Sequence, residues 1–128
     1  MRLLLDTHLL LWAAARSERL TREARRLIED PGNEIYWSVA SLWEIAIKAS
    51  LRRKDFRIDV KSLRPAFDAM GFRSLPIKAD HAEEVAQLPE IHRDPFDRLL
   101  VAQALTEPLI LLSNDETLSN YGAIVRIV

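Results

Sequence analysis

The chain contains no cysteine, which removes disulfides, cysteine–zinc sites and thiol nucleophiles together and leaves nothing that points to an oxidising compartment. Only three of its 128 residues are glycine, too few for a glycine-rich phosphate loop of the G-x-x-x-x-G-K-[ST] kind, so nucleotide binding through that device is excluded. No apolar run approaches the roughly 20 residues that span a bilayer. The opening leucines and Ala13-Ala14-Ala15 mimic a secretory signal, but Asp6 and His8 interrupt the stretch that such a signal keeps continuous. A soluble, cytoplasmic protein with no membrane partner is the expectation. An excess of positive charge is missing as well: 18 Lys and Arg against 19 Asp and Glu leave a net charge of -1, which argues against a protein that coats nucleic acid. Basic groups do occur locally at Arg22-Arg25-Arg26 and Arg52-Arg53-Lys54. Such runs are ordinarily solvated helix faces, although the second can guide a polyanion.

What is present suits one globular domain over residues 1–128, since 48% hydrophobic and 29% charged residues are neither disordered nor fibrous proportions. Leu3-Leu4-Leu5 reads as a buried strand, with Thr7 able to cap a helix through Leu11-Trp12-Ala13. Thr21 precedes helical spacing at Ala24, Leu27 and Ile28, and Asp30-Pro31-Gly32-Asn33 is a turn. Glu34 to Ser38 is β-rich, and Ser38 or Ser41 can start the helix that carries Leu42, Ile45, Ala46 and Ala49. A helix over Val60–Met70 is weakened by Pro65 and stopped by Gly71; Phe72 to Ile77 follows as a strand. Asp80 and Glu83 have capping-box spacing for a helix through Val85 and Leu88.

Asp94-Pro95-Phe96-Asp97 opens the clearest helix, with an Asp N-cap, Pro at the first position and an acid at the third. Leu109 to Leu112 is an apolar strand, Ser113-x-x-Glu116 is again a capping-box spacing, and Val125 to Val128 is a last strand. Strands alternating with helices, several of them continuously apolar, imply an α/β fold whose parallel sheet is covered on both faces. In such sheets the site lies beyond the carboxyl ends of the strands.

Four acids fall at that edge. Asp6 and Asp115 follow strands, and Glu44 and Asp97 lie near the starts of helices. Each has a modest structural explanation: Asp97 can complement the helix dipole, for roughly 0.3 to 1 kcal/mol, Asp115 can sit in a first turn, and Asp6 can be an Asx-type cap. Glu44, between Trp43 and Ile45, has no capping role and needs a partner. Carboxylates that gather at a core edge call for hydrogen bonds, protonation or a cation. With no cysteine and no paired-histidine spacing, oxygen donors select Mg²⁺ or Mn²⁺ over Zn²⁺. Thr7, Ser38 and Ser113 can orient the carboxylates or merely cap helices. Lys48 or Arg98 can meet a phosphate, though Glu44–Lys48 is also an ordinary i,i+4 pair. His8 can contact substrate, whereas His81 and His92 read as structural or surface residues.

The segments Leu3-Leu4-Leu5-Asp6-Thr7-His8, Ser38-x-x-Ser41-x-Trp43-Glu44-Ile45-x-Ile47-Lys48, His92-x-Asp94-Pro95-Phe96-Asp97-Arg98-Leu99-Leu100-Val101-Ala102-Gln103-Ala104 and Leu111-Leu112-Ser113-Asn114-Asp115 together resemble the motifs of PIN-domain ribonucleases, specifically the VapC toxins of toxin–antitoxin modules. The resemblance runs in order along nearly the whole chain, and Ser113 stands where a threonine is frequent. It implies a PIN-like three-layer α/β/α sandwich with a mainly parallel sheet. It also implies a Mg²⁺- or Mn²⁺-dependent endoribonuclease with Asp6, Glu44 and Asp97 as the main metal-site acids and Asp115 as a peripheral fourth. Its further implications are RNA as substrate, a homodimer and a cognate VapB-type antitoxin. Two other readings stay open: a catalytically silent PIN-like binding module, and a metal-dependent aspartyl-phosphate phosphatase or receiver-like domain. The absence of D-x-D at Asp6-Thr7-His8 weighs against the phosphatase.

Overall fold

A computed structural model describes residues 1–51 and 57–128; the Arg52-Arg53-Lys54 run lies outside the described residues. The chain opens with strand β1 (Arg2–Leu5) and helix α1 (Thr7–Ala14), then α2 (Arg22–Glu29), β2 (Glu34–Ser38) and α3 (Val39–Ser50). A 3-10 turn at Val60–Ser62 leads into α4 (Leu63–Ala69), β3 (Arg73–Leu75), α5 (Ala79–Val85), α6 (Pro95–Thr106) and β4 (Ile110–Ser113). A 3-10 helix at Glu116–Tyr121 and strand β5 (Val125–Ile127) close it.

All the strand pairings are parallel, in the order β3-β2-β1-β4-β5. Alternation along the strands divides the core into two layers. Leu3 and Leu5 of β1, Ile35 and Trp37 of β2 and Leu112 of β4 pack with α1, α2 and α4. Leu4 and Leu111 face the other way, into a cluster with Leu100, Val101 and Ala104 of α6. Helices on both faces of a parallel sheet make a three-layer α/β/α sandwich, as expected.

Local signals explain most boundaries. The Thr21 side chain accepts from the Ala24 amide at the start of α2, and Gly71, with φ of 77°, takes the left-handed turn that ends α4. Asp94 caps α6 through the Phe96 and Asp97 amides at 2.9 and 3.0 Å, with Pro95 in the first turn. Two expectations are corrected and, of the two caps open for α1, one is decided. Asp6 rather than Thr7 caps α1, by accepting from the Leu9 amide, because only the residue before the helix has the extended backbone that aims its side chain at the open amides. The α5 helix starts at Ala79 with Lys78 as N-cap, so Asp80 lies inside the first turn; the Lys78 amide is taken up by His81 Nδ1 at 3.0 Å. Ser113 ends β4, and Asp115 caps the 3-10 helix that follows.

His81 is fully buried, and Gln103 Nε2 also approaches its Nδ1, at 3.3 Å. Its Nε2 meets Glu107, and Gln103 accepts from the Ser38 hydroxyl. A buried polar chain Ser38–Gln103–His81–Glu107 therefore ties β2, α5 and the end of α6 together. Leu4 has no exposed surface and lies at the centre of the sheet. Leu4→Ala is expected to lower unfolding free energy by about 3 to 5 kcal/mol, measured by urea denaturation, whereas Leu105→Ala, at an exposed position of α6, should change it by less than about 1 kcal/mol.

Candidate active site

Strand order reverses beside β1: the chain winds outward through β2 and β3, then returns to β1's other side with β4 and β5. Crevices form at such switch points, beyond the carboxyl ends of the strands. Leu5 pairs with Leu112, and the Asp6 amide extends the ladder by donating to the Leu112 carbonyl at 3.0 Å. Asp6 and Ser113 are thereby placed side by side, and the Ser113 hydroxyl donates to Asp6 Oδ2. The same hydroxyl accepts from the Asp115 amide at 3.0 Å, linking the first and last acids. Asp6 is almost fully buried. Burial raises its pKa above the usual carboxylate value, against hydrogen bonds from Ser113 and the Leu9 amide and the charge of His8. His8 is exposed and lies against Trp12 with ring centres 5.9 Å apart.

Glu44 sits in the second turn of α3, further from the helix start than expected, since the helix begins at Val39. Although it is only 7% exposed, it is well partnered. Thr7 Oγ1 lies 2.7 Å from Glu44 Oε1 and 3.0 Å from Ser41 Oγ, and Lys48 Nζ lies 3.0 Å from Oε2. The partners that its position calls for are thus Thr7 and Lys48. Lys48 is likewise committed to Glu44. Trp43 turns outward, 55% exposed, and meets Phe96 edge-on at 5.2 Å, which joins α3 to the start of α6.

Asp97 is the least compensated of the four acids. Its own amide is satisfied by Asp94, but among the described residues none donates a hydrogen bond to its carboxylate. Burial first, then the charges of Asp94, Glu44 and Asp6, push its pKa up to about 7, with His92 acting the other way. Electrostatics thus brings Asp6, Glu44 and Asp97 into one neighbourhood. Asp115 differs: hydrogen bonds from Thr117 and His92 lower its pKa, with burial opposing them.

The remaining expectations divide. Arg98 does not face a phosphate site: its guanidinium donates to the carbonyls of Val85 at 3.2 Å and Pro89 at 3.1 Å and to the Tyr121 hydroxyl at 3.3 Å, which secures the loop before α6. Ser38 caps α3 through the Ala40 amide and bonds Gln103, so its hydroxyl is spent away from the acids. His92, read as structural or surface, lies between two of the acids, with Nε2 3.2 Å from Asp115 Oδ2 and 3.6 Å from Asp97 Oδ2. Its place two residues before the Asp94 cap, inside the longest motif, was the available signal.

A family profile described as the PIN domain matches residues 3–124. The chain belongs to the PIN-domain family. No curated protein matches it significantly. Among solved structures, this PIN domain is similar to VapBC2 from Rickettsia felis bound to a DNA fragment from its promoter, at a TM-score of 0.67 and 16% identity, covering 100% of this chain and 98% of the other. It is also similar to a toxin–antitoxin complex from Klebsiella pneumoniae, at 0.62 and 21%, covering 96% and 94%. A third is VapBC-5 from Mycobacterium tuberculosis, at 0.61 and 18%, covering 99% and 97%. At these identities the likeness is one of fold. No helix among the described residues is long and apolar enough to cross a membrane.

The raised Asp97 pKa has a thermodynamic consequence. The native state holds a proton that the unfolded chain has lost, so the associated stability is complete below about pH 4 and gone once pH passes about 7; Asp6 acts in the same direction. Metal-free protein should therefore lose on the order of 2 to 4 kcal/mol between those limits, read as unfolding free energy against pH. Asp97→Asn should flatten that profile and be the more stable form at pH 8.

Proposed function

We propose that this PIN domain is a Mg²⁺- or Mn²⁺-dependent endoribonuclease and the toxin of a toxin–antitoxin pair. The observation that carries the reading is the Asp97 carboxylate, partly buried at the first turn of α6, unmatched by any hydrogen-bond donor among the described residues and crowded by Asp94, Glu44 and Asp6. An all-oxygen set of this kind fits a hard divalent cation. Asp6, Glu44 and Asp97 would hold it, with Asp115 peripheral. Bound there, it supplies Lewis-acid activation of water and neutralises charge developing on a phosphodiester.

The protein's own groups prepare the site. Ser113 and the Leu9 amide fix the two oxygens of Asp6, and Thr7 fixes Glu44. Lys48, half-exposed beside Glu44, offsets part of the repulsion between an acidic pocket and a polyanionic substrate. Rigid carboxylates need little reorganisation as the reaction proceeds, which is where electrostatic catalysis gains most. The toxin assignment draws support from the similar structures, which are described as toxin–antitoxin complexes. A VapB-type antitoxin and a second copy of this chain are the partners that follow from it, with RNA as the substrate. The phosphatase or receiver-like reading has no such support from the similar structures.

Purified protein freed of any antitoxin is expected to cleave a mixed RNA pool with Mg²⁺ or Mn²⁺, to stop in chelator, and to lose at least about 100-fold in rate with Asp97→Asn. Cleavage that survives chelation or the substitution rules the mechanism out. A folded, metal-binding protein that cleaves no RNA indicates the silent binding module instead.

A further inference from the structure

His92 stands in the loop that leads into α6, and its Nε2 lies in the gap between Asp97 and Asp115, the three candidate ligand atoms falling within 4.8 Å of one another. A histidine between two carboxylates ordinarily suggests a nitrogen ligand to a transition metal. The other ring nitrogen points away from that conclusion. The Asp94 amide donates to His92 Nδ1 at 3.1 Å, so Nδ1 carries the lone pair and the neutral ring has its proton on Nε2. A protonated nitrogen cannot ligate a cation; it donates.

Both ring contacts require the same orientation, since a flipped ring would lose the Asp94 amide and Asp115 together. The backbone is held as firmly. The His92 amide donates to the Tyr121 hydroxyl at 3.1 Å, and its carbonyl accepts from Arg98 at 3.5 Å. Asp115 is engaged on both oxygens: Oδ1 accepts from the Thr117 amide at 3.0 Å and hydroxyl at 2.7 Å, and Oδ2 faces His92.

We propose that His92 is a positioning residue: a tautomer-locked donor whose Nε2–H occupies the gap between Asp97 and Asp115, holds Asp115 back and leaves Asp97 open only on the side of Asp6 and Glu44. The inference rests on the metal-dependent reading above and sharpens it. A cation bridging Asp97 and Asp115 would have to stand where the imidazole N–H already is, so the cation belongs to Asp6, Glu44 and Asp97, and Asp115 acts through His92. The donor set then contains no nitrogen, which suits Mg²⁺ as well as Mn²⁺.

The test uses the full chain with ring-¹⁵N histidine, the His92 signals being assigned by their loss in His92→Gln. Long-range ¹H–¹⁵N correlation at neutral pH should show protonated Nε2 and unprotonated Nδ1 in chelator and again in saturating Mg²⁺. The Nδ1–H tautomer, an imidazolium, or a change of tautomer on adding Mg²⁺ would each overturn the proposal. Mn²⁺ and Mg²⁺ affinities by calorimetry give a second readout. Loss of an outer donor lowers both together in His92→Ala, whereas loss of a nitrogen ligand lowers Mn²⁺ selectively, by roughly tenfold or more, and that selective loss also overturns the proposal. The tautomer in chelator is independent of cleavage and of metal binding, so failure of the nuclease reading is distinguishable from failure of the lock.

Discussion

The parallel pairing of β1 with β4 is the constraint from which the rest of the site follows. These two strands are far apart in sequence, and their Leu5–Leu112 register, extended by the Asp6 amide, places an aspartate and a serine from opposite ends of the chain in hydrogen-bonding contact. A shift of one residue along β1 would bring either Asp6 to the place of Leu5 or Arg2 to the place of Leu3, both fully buried positions between apolar layers. The apolar layers on either face therefore enforce the register, and the register enforces the site. The hydrophobic core and the polar centre are one structural problem solved once.

Within that frame the acids are treated unequally. Asp6, Glu44 and Asp115 each receive donors from residues close at hand, and their charges are largely answered by the fold itself. Asp97 receives none among the described residues, so its cost is left in the native state. Proteins commonly keep such local conflict only where function uses it. Polar side chains that looked like direct participants, Arg98 and Ser38, instead serve the scaffold that holds the acids.

The sequence made the local devices legible. The Asp94 cap, Pro95 and Asp97 at the third position all stand where their spacing places them, because capping depends on residues within one turn of each other. The alternation of buried strands and helices likewise sufficed for the three-layer architecture. Relations across the fold were less legible. Glu44 looked stranded because Thr7, one of its partners, is 37 residues away, and only the packing of α1 against α3 reveals it. His92 looked incidental because a histidine's role depends on what meets each ring nitrogen, and the carboxylates that meet Nε2 come from α6 and from the turn after β4. Lys48 was visible as an i,i+4 partner of Glu44, and the structure makes that pair at 3.0 Å.

The buried chain Ser38–Gln103–His81–Glu107 gives α6 an index mark at the end remote from the acids. A chain whose Ser38, Gln103 and His81 members are fully buried holds the helix against rolling, because each misaligned group would be stranded away from water. Gln103 is six residues beyond Asp97, about 9 Å along the helix axis, and touches none of the four acids. Its amide nevertheless sets the angle at which the first turn of α6 presents its carboxylate, much as the notch at one end of a shaft fixes the bearing of a blade at the other.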